Sequence, residues 1–311
     1  MADGNPFALR RMLALRQFPV LCNADLGELA LLAENVAEVT LPAGAVVARA
    51  GEPLDALHLV LDGEIATTGS SSRTWGARTW GPRETFGALE VLAYRPAAAP
   101  AVATTETTTL QLLAPDVTDV LEDSFGVMLA TLRGLAARAG LRAPEIRTAI
   151  PPGVHTLGLA ERLIVLRGLP AFSRAPLEAL AALAHAAEEA VLPAGTPLAR
   201  GGSHGASSIV IVDGEARMAG RAGGVRTLGR GDVIGHLEML GDLPHEDTVE
   251  ATAPVRGLVL AAPCLFDVIE DHTDLGRSIL AVLAGILLDD PGRVIQGPAV
   301  RQPLSGPSSP P

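Results

Sequence analysis

The chain has 311 residues, a net charge of −11 and only 3% aromatic residues. At roughly 100–200 residues per domain, the length suggests two domains, each able to bury a core. The acidic balance argues against a nucleic-acid partner, which normally meets a basic footprint, and all 24 basic residues are arginine, which excludes lysine Schiff bases and a Walker-type phosphate lysine.

Residues 1–11 read as an N-terminal segment. Arg10, Arg11 and Arg16 are not followed by an apolar run and a cleavage site, so no secretory signal is expected. A first repeat spans 12–138. It opens with a helix over Asp25–Ala37, where Leu26, Leu29, Ala30 and Leu32 recur at helical spacing. Leu41-Pro42-Ala43-Gly44 makes a turn. Val46-Val47 and the alternating Leu57, Leu59 and Leu61 predict strands. Asp62-Gly63-Glu64 reads as a hairpin turn. A short helix starts at Gly87. Thr104–Thr109 reads as an exposed strand segment running into a strand over Thr107–Leu113, and a single helix over Asp116–Ala137 closes the unit. Residues 139–162, with Pro144, Pro151, Pro152 and Gly153, read as a linker.

The chain then repeats itself. At an offset of 151, Leu192-Pro193-Ala194-Gly195 faces Leu41–Gly44, and Asp213-Gly214-Glu215 faces Asp62–Glu64. Beyond that triplet the offset is 148, so that Gly235-His236-Leu237-Glu238 faces Gly87-Ala88-Leu89-Glu90, and Pro244 faces Pro96. The loss of three residues falls in a polar Gly/Ser-rich stretch, as expected of a hairpin tip. The second repeat covers 163–290, with a helix over Ala175–Ala187, strands at Ser208–Val212 and Arg256–Leu260, and one closing helix over Leu265–Leu288. Residues 291–311 are rich in Pro and Ser and read as a disordered tail. Many short strands with regular turns between flanking helices predict an α+β fold, mainly β, with two tandem closed β-rolls of jelly-roll type. Cys22 and Cys264 stand far apart in no motif and read as reduced thiols. The longest apolar run, Ile279–Leu288, is ten residues, too short to span a membrane. A cytoplasmic chain without membrane insertion is the expectation.

Pro42 to Glu64 and Pro193 to Glu215 resemble the opening of a cyclic-nucleotide-binding domain. In that family a β-roll leads into a phosphate-binding cassette, approximately Phe-Gly-Glu-Leu-Ala-Leu-Leu, then Pro-Arg-Ala-Ala-Thr. The physical need is a cradle for a fixed anion: N–H groups at a helix start after glycine, an arginine as charged partner, and a carboxylate for the ribose hydroxyl. The resemblance implies candidate positions Gly87, Ala88, Leu89, Glu90 and Arg95 in copy one, and Gly235, His236, Leu237, Glu238, His245 and Thr248 in copy two. Both cassettes depart from the pattern. Copy one has Ala88 for the glutamate, Ala97 for the arginine and Pro100 for the threonine; Arg95 precedes the proline. Copy two has His236 for the glutamate and His245 for the arginine, and keeps Thr248. Glu90 and Glu238 lie two positions beyond the family glutamate, on another side of a helix. Hydrogen bonds to charged groups contribute roughly 1.5–3 kcal/mol each, so losing the arginine costs about ten- to a hundredfold in affinity. Copy one is therefore expected to bind no cyclic nucleotide and copy two to bind one, or a related small anion, weakly.

The tandem layout is similar to that of protein kinase A regulatory subunits. The roll is shared with catabolite-activator-type regulators, whose helix-turn-helix the Pro/Ser-rich residues after Leu288 do not supply. The implied protein is a non-catalytic regulator with a protein partner of unknown identity and no cofactor beyond a cyclic-nucleotide ligand. A second reading is a pseudo-sensor scaffold acting through protein contacts. A third is a cupin-like metalloenzyme; the paired His-x-His of that class is absent, and no metal ligands are assigned. Residues 275–288 leave little polar face and must be covered, either against copy one or by a second chain in a homodimer.

Overall fold

In a computed structural model, the described residues are 6–19, 21, 24–68, 78–140, 147–148, 150, 157–220 and 224–289. Cys22, the tip of the first polar stretch and the tail at 291–311 lie outside them. The first half contains helices α1 (Pro6–Leu15) and α2 (Leu26–Asn35), then strands β1 (Ala37–Leu41), β2 (Val46–Ala48), β3 (Ala56–Asp62), β4 (Ile65–Thr67), β5 (Thr79–Trp80) and β6 (Thr85–Phe86). Helix α3 (Ala88–Ala93), strands β7 (Ala101–Ala103) and β8 (Thr107–Leu113), and helices α4 (Ala114–Asp123) and α5 (Phe125–Ala139) follow. The second half repeats the order: α6 (Leu159–Arg167), a 3-10 turn at Pro170–Phe172, α7 (Leu177–Ala186), β9 (Glu188–Leu192), β10 (Pro197–Ala199), β11 (Ser207–Asp213), β12 (Ala216–Ala219), β13 (Val225–Leu228) and β14 (Val233–Ile234). It closes with α8 (His236–Gly241), β15 (Thr248–Ala251), β16 (Val255–Ala261), α9 (Ala262–Asp271) and α10 (Thr273–Asp289).

Each half folds two four-stranded antiparallel sheets in the same order. Copy one has β1-β8-β3-β6 and β2-β7-β4-β5; copy two has β9-β16-β11-β14 and β10-β15-β12-β13. The α+β, two-roll architecture is thus the one expected. Strands β4 and β5 pair antiparallel, as do β12 and β13; the polar stretch expected at a hairpin tip joins them, and its residues 69–77 and 221–223 lie outside those described. Asp62-Gly63 and Asp213-Gly214 do not make hairpins, contrary to expectation. Strand β3 lies in one sheet and β4 in the other, so the glycine turns a corner between sheets. It must be glycine: Gly214 has φ +97°, and a Cβ there would meet the Pro254 carbonyl oxygen at 2.1 Å.

Two further expectations are corrected. Thr104–Thr109 is exposed only at its start: Thr107 and Thr109 are fully buried. Thr107 accepts from the Glu64 N–H at 3.0 Å, and Thr109 meets His58 Nδ1 at 3.1 Å, which is how buried hydroxyls are satisfied. The closing helices are also broken. Copy one breaks at Ser124, whose hydroxyl accepts from the Val127 N–H at 3.3 Å and restarts the helix. Copy two breaks at the equivalent His272, where the backbone leaves helical geometry at φ −133°.

The core has three parts. Each roll has its own interior, one around Val60, Trp80 and Phe86 and one around Ile211, Leu228 and Val249. The helices of both copies share a third, continuous core running from Leu15 to Leu288. Its pattern is reciprocal: α10 of copy two packs on α3 and α5 of copy one, while α5 of copy one packs on α8 of copy two. Helices α5 and α10 approach closely at Gly276, where a Cβ would meet Met128 Sδ at 2.9 Å. Of the two alternatives for residues 275–288, the structure shows the intrachain one. Leu275, Ile279, Leu280, Leu283, Ala284, Leu287 and Leu288 are buried within the chain, so this apolar side of the helix is not left for a homodimer contact.

The segment read as a linker is partly docked. Arg147 pairs with the buried Asp232 at 2.7 Å, and the Thr148 N–H donates to the Gly231 carbonyl. Helix α1 runs across position 11, and a repeat signal lies at that point. Arg11 donates to the Ala33 carbonyl at 3.2 Å, and Arg162, at the same offset of 151, donates to Ala184 at 3.2 Å and Leu157 at 2.7 Å. Both arginines satisfy carbonyls that the end of α2 or α7 leaves free. Arg162→Ala is expected to cost about 1–3 kcal/mol by orphaning them. A urea midpoint equal to that of the unmodified chain would show that water satisfies them equally well.

Candidate functional site

In both copies the cassette begins where a two-residue edge strand, β6 or β14, ends in a left-handed glycine. Gly87 (φ +81°) caps α3 and Gly235 (φ +77°) caps α8. Both helices end on a non-glycine residue in the same conformation, Tyr94 (φ +53°) and Asp242 (φ +51°). The helix, its glycine entry and its left-handed exit are therefore one repeated device.

Copy one presents little polar chemistry at this device. Leu89 is buried in the shared helical core, and Ala88 packs beside it. A Cβ at Gly87 would meet Leu54 Cδ1 at 2.9 Å, so an apolar side chain lies over the turn. Ala97, at the position where the family pattern has arginine, is 5% exposed and belongs to the interior of roll one. That interior is filled by Trp80 and Phe86, packed edge-to-face at 5.0 Å. Arg78 lies over the Trp80 ring at 4.8 Å. Burial holds the Glu90 carboxyl above the usual range, against its own backbone hydrogen bond and the Arg78 charge, which both lower it. Arg95 points away from the roll and bonds Asp289 of α10 at 2.7 Å. Glu90, Arg95, Leu54 and Pro96 instead line a cleft of about 280 Å³ that α10 completes with Arg277 and Leu280.

Copy two differs in the roll interior and at the position of the family arginine. Trp80 and Phe86 are replaced by Leu228 and Ile234, so roll two carries no aromatic pair. His245 lies against the glycine turn: a Cβ at Gly235 would meet its Cε1 at 3.1 Å. Its Nδ1 is 3.8 Å from Glu238 Oε1. Its backbone is pinned on both sides, donating to the Ser203 carbonyl and accepting from the Gly202 N–H, each at 2.8 Å. Thr248 Oγ1 accepts from the Gly201 N–H at 3.1 Å. Gly235, Glu238 and His245 are thus brought together, and Thr248 stands at the exposed end of the same segment. Leu237 is core.

His236 goes elsewhere. It points to the helical side of roll two, into an apolar cavity lined by Leu258, Leu260 and Ile279. Both ring nitrogens are buried without a hydrogen-bond partner among the described residues. Burial pushes its pKa down to about 4. Neither the cavity nor the role of α10 in bounding both sites was visible in the repeat; the only signal was the apolar circumference of residues 275–288.

Among the described residues, no three His, Cys, Asp or Glu side chains are grouped to hold a metal ion. No described helix is long and apolar enough to cross a membrane.

The chain is similar to several solved structures. One is the regulatory domain of Toxoplasma gondii PKA with cAMP, at 17% identity and TM-score 0.35, covering 88% of this chain and 97% of that one. Another is the regulatory subunit of a cAMP-independent protein kinase A from Trypanosoma brucei, at 19% identity and TM-score 0.34, covering 88% and 90%. A third, from Trypanosoma cruzi and bound to guanosine, has 17% identity and TM-score 0.34, covering 86% and 87%. The family described as cyclic nucleotide-binding domain matches residues 38–124 and 189–272, once in each roll. With a match in both halves, the chain belongs to the cyclic nucleotide-binding domain family and carries two tandem copies of it.

Proposed function

We propose that this chain is a non-catalytic regulatory protein whose second domain binds a cyclic nucleotide or a related small anion weakly, while the first does not. The observation that carries this is the contrast at one equivalent position. Ala97 is buried in an interior filled by Trp80 and Phe86. His245 lies on the left-handed Gly235, beside Glu238, in a roll without those rings. An alanine offers a phosphate nothing. An imidazole offers an N–H, and an imidazolium also offers a charge. Glu238 competes for that charge, which is why the binding is weak.

The expected result is saturable calorimetric binding of cyclic AMP or cyclic GMP with one site per chain. His245→Ala and Thr248→Val should abolish it, and Thr104→Val should leave it unchanged. His245→Arg should strengthen it about ten- to a hundredfold. Equal affinity in all these variants defeats the assignment. No heat with any nucleotide, even for His245→Arg, favours the scaffold reading, for which the filled interior of roll one is the supporting observation.

A further inference from the structure

We propose that copy two carries a second ligand site, distinct from the cassette: a cavity that takes a small, neutral aliphatic molecule bearing one hydroxyl group. The cavity measures about 70 Å³ and lies between the face of roll two, the 3-10 turn and α10. Its walls are apolar, among them Phe172, Leu258, Leu260 and Ile279, with two exceptions, Ser208 and His236. Both His236 nitrogens are buried, and neither has a hydrogen-bond partner among the described residues. An unmade bond to a buried polar atom costs about 1–3 kcal/mol, so a histidine held this way has no evident structural use.

The repeat supplies an internal control. The residue of copy one equivalent to Ser208 is Leu57, and the one equivalent to His236 is Ala88. Both are apolar and belong to, or pack against, the helical core. Copy two therefore has polar groups at two positions distant in sequence, and both line one cavity. A chance surface change would not need to coincide in this way.

The ligand class follows from the lining. A neutral imidazole presents one donor and one acceptor, and a hydroxyl group presents both in return. No cation lines the cavity, so an ionised carboxylate or phosphate would be buried without a counter-charge, at high cost. A cavity of about 150 Å³ holds benzene. One of about half that size takes about half as many atoms, a chain of about two carbons with its hydroxyl, and excludes a nucleotide.

The test uses the full chain labelled at histidine 13Cε1, with the His236 signal assigned by its loss in His236→Leu. Titration with ethanol should shift that signal saturably. Chloroethane, of similar shape but without the hydroxyl, should bind at least about tenfold more weakly. Ser208→Leu, which installs the residue of copy one, should abolish saturation while the spectrum remains that of a folded protein. Three results would each overturn the proposal: no saturable shift, equal binding of alcohol and chloride, or undiminished binding in Ser208→Leu. The first would mean that water alone occupies the cavity.

Discussion

Acidification from pH 7 to pH 4.5 should remove roughly 2–3 kcal/mol of folding stability for each of His58 and His236. Both imidazoles have pKa values lowered by burial to about 4, from 6.5 in an exposed chain. Between those values the unfolded chain binds more protons than the folded one. The stabilisation is therefore complete above about pH 6.5, falls as the pH drops, and is gone below about pH 4. His58 is 6% exposed and keeps its contact with Thr109 as a neutral ring; His236 has no hydrogen bond to keep among the described residues. Domains of ordinary size are stable by roughly 5–15 kcal/mol, so the combined loss is large. Urea unfolding at both pH values measures it. His58→Gln and His236→Leu should each flatten the dependence by one histidine's share. Slopes identical to that of the unmodified chain would show that these rings gain protons while the protein stays folded.

Gly214→Ala should destabilise by roughly 3–5 kcal/mol. The left-handed backbone alone costs an L-residue about 1–2 kcal/mol. The remainder comes from the Pro254 carbonyl oxygen at 2.1 Å and Val255 Cα at 2.8 Å from the new Cβ; both are backbone atoms that move only by shifting a strand. Gly63→Ala should behave alike, since its Cβ would meet the Glu106 carbonyl oxygen at 2.5 Å. Gly44→Ala is the control: its φ is +85°, with nothing within 4 Å. It should cost only the conformational share. Equal denaturation midpoints for Gly44→Ala and Gly214→Ala would mean that close approach plays no part at the sheet corner.

The same triplet shows how far turn chemistry can be read. Asp-Gly is a strong turn signal, and a turn is there. A hairpin and a corner between sheets use the same local backbone, however, and differ only in which strands pair afterwards. Pairing is decided by partners far along the chain, such as Thr108 opposite Asp62. The threonine run failed as a surface strand for a related reason. Thr107 and Thr109 are polar in isolation, but their hydroxyls are satisfied by Glu64 and His58, both more than 40 residues away.

Among the candidate residues, backbone roles were legible and side-chain directions were not. Gly87 and Gly235 could be placed because a repeated glycine at a strand-to-helix junction has few conformational reasons to recur. His236 and His245 could not be told apart in this way. One faces an apolar cavity closed by α10, and the other faces Gly235 and Glu238.

By itself, the sequence determined the duplication, the length change after the Asp-Gly-Glu triplet and the loss of the arginine at positions 97 and 245. These are local or periodic properties, and local turn preference and alternation are enough to specify them. Only the tertiary structure decided that α5 and α10 reach across to the opposite copy, and so which walls surround Arg95 and His236. An apolar helix face requires burial but does not name its cover. The cover is selected by the fit of surfaces that the chain brings together only when both copies have folded.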